Sequence, residues 1–168
     1  MIQCMAMALV MIFTQGQAQA KTTGQAEQLQ KHITTYTLRY EKIRVLLAQD
    51  DLNASKKEAV LMRKDLAAVI TQVSHTPSVQ AQFQAISEAS LQMNQSQTAD
   101  EQRKAFGDVS KAIITLLNQY KGLQKGWHIF MCPMAQGYSK WIQASADMAN
   151  PYMGKRMLKC GGKTQWTP

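Results

Sequence analysis

Apolar side chains recur at spacings of three and four through most of residues 25–121, and the stripes they form predict four helices. The first, roughly Gln25 to Ala48, aligns Leu29, Ile33, Tyr36, Tyr40, Ile43 and Leu47 on one face. The second follows the Asp50-Asp51-Leu-Asn53 turn, with Ser55 and Glu58 in capping-box spacing, and carries Met62, Leu66, Val69 or Ile70, and Val73. It stops before Pro77, which cannot sit in a helix interior. A third stripe, about Ser78 to Asn94, offers Val79, Phe83, Ile86 and Met93. The fourth follows Thr98 and its box partner Glu101 with Phe106, Val109, Ile113, Leu117 and Tyr120, and ends at Gly122 and Gly126. Gly107 interrupts it and marks a close packing contact. The short links make sequential helices antiparallel. The expected fold is therefore all-α: an up-down four-helix bundle (21–121) with an irregular Cys/Met/Trp-rich C-terminal cap (122–168), folded as a single domain.

The first twenty residues break this pattern. They hold no charge and four of the eleven methionines, and the apolar run Met5 to Phe13 is too short to span a bilayer. It fits the core of a secretory signal peptide (1–20), with Ala18-Gln-Ala20 as the small-residue cleavage site. A periplasmic or secreted location is thus expected, with no stable membrane span after cleavage. Cleavage removes Cys4 and leaves Cys132 and Cys160, an even pair in an oxidising compartment, which reads as a disulfide or a metal site. The whole charge of +8 survives, as +3 over 21–121 and +5 over 122–168, so the tail is the basic part.

All three tryptophans and six of the nine glycines lie after residue 121, together with Met131, Met134, Met148, Met153 and Met157. Trp127 to Ala135 reads as a short extended segment in which His128, Cys132 and Met134 share a face. Asn150-Pro-Tyr opens a turn into a helical segment that stacks Met153, Met157 and Cys160. If the two segments pack together, the pairs Cys132/Met134 and Met157/Cys160 converge. Thiolate and thioether suit Cu(I). Zinc would need His128 to complete a set, and calcium is excluded by a tail whose single acid is Asp147.

The run Cys132-Pro-Met134-Ala, then Trp141, then Asn150-Pro-Tyr-x-Gly-x-x-Met157-Leu-x-Cys160-Gly resembles the signature of an uncharacterised bacterial exported helical-bundle domain. That domain is found alone behind a signal peptide or fused to copper/silver efflux periplasmic adaptor proteins. The resemblance implies a bundle with a Cys/Met tail in which Cys132, Met134, Met157 and Cys160 are the metal or redox residues. It also implies a periplasmic efflux or copper-handling protein as partner. The expectation is an exported protein that binds a soft metal, with Cu(I) as its ligand. The alternative is a periplasmic interaction module stabilised by a Cys132–Cys160 disulfide, with the methionines as packing. No paired carboxylates or phosphate loop argues for an enzyme. A basic tail without an arginine cluster argues against nucleic acid.

Overall fold

A computed structural model describes residues 3–166, with the backbone alone described over 3–22. Four helices come first: α1 (Gln3–Ala48), α2 (Leu52–Gln72), α3 (Pro77–Gln95) and α4 (Ala99–Gln119). A 3₁₀ turn (Lys121–Gln124), strands β1 (His128–Met131) and β2 (Lys140–Gln143), a second 3₁₀ turn (Gly154–Met157) and strand β3 (Gly162–Lys163) follow. This is the expected bundle with a C-terminal cap. The cap, however, is not wholly irregular: it holds an antiparallel sheet of order β2-β1-β3. Helix α1 also begins at Gln3 rather than near Gln25, because the intervening sequence is rich in Met, Ala and Gln and lacks proline. The side chains of the expected leader lie outside the described residues. No helix among the described residues is long and apolar enough to cross a membrane. The chain divides into two compact units at His32, so the bundle from Ile33 onward and the cap form one unit, and Gly122 marks a change of structure inside it.

The stripes face inward. Ile33, Tyr40, Ile43, Leu47, Met62, Leu66, Val79, Phe83, Ile86, Met93, Phe106, Val109 and Ile113 are all fully buried, each contributing roughly 1.5–3 kcal/mol of burial if aliphatic or phenyl. Pro77 opens α3 at a position where its missing N–H costs nothing. The box at α4 forms as expected: Thr98 Oγ1 accepts from Glu101 N at 3.2 Å, and Glu101 accepts from Thr98 N at 3.3 Å. At α2 the expected Ser55–Glu58 box does not form. Asp51 is the cap there, accepting from Ala54 N at 3.0 Å, and Ser55 lies one turn inside, bonded to the buried Gln102 at 2.6 Å. Asp51 stands immediately before the first helical residue, where its carboxylate reaches a free N–H of the first turn, whereas Ser55 is already inside the helix.

The cap is tied to the bundle by a polar seam and a run of rings. Tyr40 Oη lies 3.0 Å from Ser110 Oγ and accepts from Ile142 N of β2 at 3.2 Å. Ser110 and Tyr152 both donate to the Lys140 carbonyl, at 2.9 and 2.6 Å. Tyr40, Phe106, Tyr152, Trp141 and Phe130 form a continuous series with ring centroids 5.1 to 5.9 Å apart. Gly107 serves this contact rather than a helix pair, since a Cβ there would lie 3.0 Å from the Tyr138 carbonyl oxygen.

Candidate metal centre

Cys132 follows β1 directly, and its N–H extends the ladder by donating to Ser139 O at 3.0 Å. Its carbonyl accepts from Ala135 N at 3.2 Å, closing a turn whose second and third residues are Pro133 and Met134. Proline presets the backbone at that second position, so Met134 is carried back toward its own strand. Cys160 arrives from the other side. Gly161 has φ +117°, and a Cβ on it would lie 2.4 Å from the Met131 carbonyl oxygen, so only glycine lets this chain run against β1 and pair Gly162 with Met131.

Asn150 fixes the loop that delivers Cys160. Fully buried, it donates from Nδ2 to Cys160 O at 2.6 Å and accepts at Oδ1 from Tyr152 N (2.7 Å) and Met153 N (3.1 Å). Its own N–H donates to Leu158 O at 2.8 Å, which clamps both ends of the segment. The bundle holds the loop from below: Arg44 donates to Ala149 O at 2.8 Å, Arg103 to Pro151 O at 3.1 Å, and Lys155 N to Asp50 Oδ2 at 3.0 Å. Arg103 and Asp50 also pair with each other. Gly154 (φ +59°) sits over that pair, and a Cβ there would collide with both side chains.

These elements bring three sulfurs together. Cys132 Sγ and Cys160 Sγ are 3.5 Å apart, and the Cys160 thiol donates to Met134 Sδ at 3.8 Å. The cysteines are free thiols. Accessibility is graded: Cys132 is fully buried, Cys160 is half-buried, and Met134 is 57% exposed. The hydrogen bond with Cys132 pushes the Cys160 thiol pKa up, helped by desolvation and by the charge of the neighbouring thiolate, because two adjacent thiolates repel.

Two expected ligands have no hydrogen bond to either thiol among those the structure gives. His128 opens β1 four residues before Cys132; at about 3.3 Å per residue it lies roughly 13 Å along the strand, too far to share a metal with the thiols. The expected face shared with Met134 does not extend that far, because β1 ends at Met131 and Met134 sits in the turn after it. Met157 ends the second 3₁₀ turn with its side chain exposed, and its carbonyl accepts from Cys160 N at 2.9 Å. With three residues per turn, residues four apart do not eclipse as they do in an α-helix, so Met153 and Met157 do not stack. The thioether contact to Cys160 comes from Met134. Asn150 and Gly161 stand in the tail signature and Asp50 in the turn before α2, but their roles in positioning the cluster were not read from the sequence, and Arg103 was not singled out at all.

Among the described residues no group of three or more His, Cys, Asp or Glu side chains could hold a metal; the group in contact with the thiol pair is the thioether of Met134. Metal–thiolate bonds are about 2.3 Å, as for zinc, so sulfurs sharing one metal lie at most about 4.6 Å apart. Both sulfur separations fall inside that limit.

Compared with known protein families, residues 38–125 match the one described as "Protein of unknown function (DUF3347)". The match covers just over half of the chain, all of it in the helices and the turn after them, and stops before the sulfur-bearing tail. No curated protein and no solved structure matches the chain.

Proposed function

The chain belongs to the DUF3347 family of proteins of unknown function, and from that premise we propose that it is an exported protein that binds Cu(I) through Cys132, Cys160 and Met134. The observation that carries this reading is that one thiol, Cys132, and one largely exposed thioether, Met134, both lie within 3.8 Å of the Cys160 sulfur, delivered by three separate backbone devices. Two thiols with a thioether suit a soft ion such as Cu(I), because a thioether is a poor donor to zinc and calcium requires oxygen ligands. The proposed leader would place it outside the cytoplasm, where copper traffic and efflux supply the ligand, and the tail's likeness to domains carried by efflux adaptors points to the same setting.

The second reading, a disulfide-stabilised interaction module without metal, is favoured by the same 3.5 Å sulfur pair. One variant separates them. Met134→Leu removes a donor while nearly preserving volume, and such a swap costs under about 1.5 kcal/mol. Under the copper reading it weakens Cu(I) binding at least tenfold in a competition titration with a colorimetric chelator under reducing conditions, with the melting curve almost unmoved. Unchanged affinity in Met134→Leu, beside clear destabilisation of the oxidised protein by Cys132→Ser, would establish the disulfide module instead.

A further inference from the structure

A cleft of about 80 Å³ opens beside the sulfur cluster and shares Met134 with it. Its charged lining is Arg103, Lys104 and Arg156 against the single carboxylate of Asp100. Arg103 is immobilised: its guanidinium is pinned by Asp50 and the Pro151 carbonyl. Lys104 and Arg156 are exposed and have no ion-pair partner among the described residues. The cleft therefore presents uncompensated positive charge at the edge of a fixed one. It is far smaller than the roughly 300–1,000 Å³ pockets that enclose small-molecule ligands, yet large enough for one carboxylate group. Around it the last forty-seven residues carry six basic side chains and one acidic one, and Lys159 already pairs with that acid, Asp147.

We propose that this cleft is a carboxylate anchor for an acidic partner protein. A Glu or Asp side chain seated between Lys104 and Arg156 brings its neighbouring residues onto Met134, the most exposed sulfur of the cluster and the one in contact with Cys160. The occupant's role in passing copper rests on the Cu(I) reading, whereas its binding does not. Charged rims of this kind set partner choice and association rate, and their attraction falls with added salt.

The test uses metal-free, reduced protein, so its outcome is independent of copper. An acetylated peptide alternating Glu and Gly is titrated while backbone amide resonances are followed by NMR, with the Gln/Gly peptide as control. The expected result is saturable shifts at Lys104, Gln136 and Arg156 with the Glu peptide alone. The double change Lys104→Glu and Arg156→Glu should weaken them at least tenfold, and Lys125→Glu with Lys163→Glu, an equal charge change outside the cleft, should leave them. Lys104→Gln with Arg156→Gln provides the same comparison should the reversal disturb folding. Equal weakening by both reversals would mean diffuse attraction to the basic tail and would overturn the anchor. Tighter binding of inorganic phosphate than of peptide at the same amides would make the cleft a site for a free oxyanion and remove the partner.

Discussion

At the scale of single residues, Cys160 carries the most chemistry. Its thiol donates toward Met134 and touches Cys132, and the contact with Cys132 is the main reason its pKa is raised. A raised folded value means the fold holds the proton more tightly than the unfolded chain does. The associated stability is present below the ordinary thiol range and is lost as pH rises through the folded value. Alkylation by iodoacetamide, followed by mass spectrometry across pH 7 to 10, should therefore show Cys160 reacting with a midpoint above that of a free thiol. Removing the neighbour by Cys132→Ala should move that midpoint back down; a midpoint that does not move would assign the shift to desolvation alone. The same proton competes with a bound metal, so Cu(I) affinity should climb with pH through the neutral range. Residue type made the two cysteines and Met134 legible in the sequence, since thiol and thioether crowded in one tail have few other uses. Asn150 and Gly161 were not legible, because an amide that clamps a loop and a glycine that admits a neighbouring carbonyl show their roles only when the second chain segment is in place.

At the scale of elements, legibility tracks how local the signal is. The helices were readable because each stripe repeats over about three to five turns and depends only on its own residues, and the Thr98–Glu101 box is complete within four residues. The strands span four, four and two residues, too few for an alternating pattern, and both Ile129 and Phe130 are buried, which erases alternation in β1. Pairing partners up to thirty-three residues apart in the chain define that sheet instead. Its attachment to the bundle rests on Tyr40, whose hydroxyl is the acceptor for the buried Ile142 N–H. Tyr40→Phe keeps the ring stacked on Phe106 but leaves that N–H without a partner, a loss of about 1–3 kcal/mol. Urea denaturation should show that decrease, and hydrogen exchange should show the Ile142 amide opening faster than amides in the centre of α3. Uniform acceleration in both places would mean that the seam does not hold the sheet separately.

At the scale of the whole molecule, the bundle from Ile33 onward is a platform on which the cap is mounted: Arg44, Asp50 and Arg103 grip the loop that carries Cys160, while Tyr40 and Ser110 grip the strand pair that leads to Cys132. Two thiols held together this way can serve a metal or each other, never both at once. Oxidation by diamide, which accepts the two electrons and two protons that the thiols release, joins Cys132 to Cys160 and closes a loop spanning 132–160. On the chain-entropy argument a loop of this length stabilises the fold by about 3.5 kcal/mol. For a chain of this size that corresponds to a rise in Tm of roughly 10 °C. The same oxidation removes both thiolates, so the oxidised protein should melt higher and bind no Cu(I), and dithiothreitol should reverse both changes together. Calorimetry of the oxidised and reduced forms beside a copper titration of each makes the comparison direct. If the melting temperature rises while Cu(I) binding persists, the metal is held elsewhere and the cysteine pair is a fastening only; if both respond as one, the mount that holds the sulfurs 3.5 Å apart is what lets redox state decide whether copper is carried.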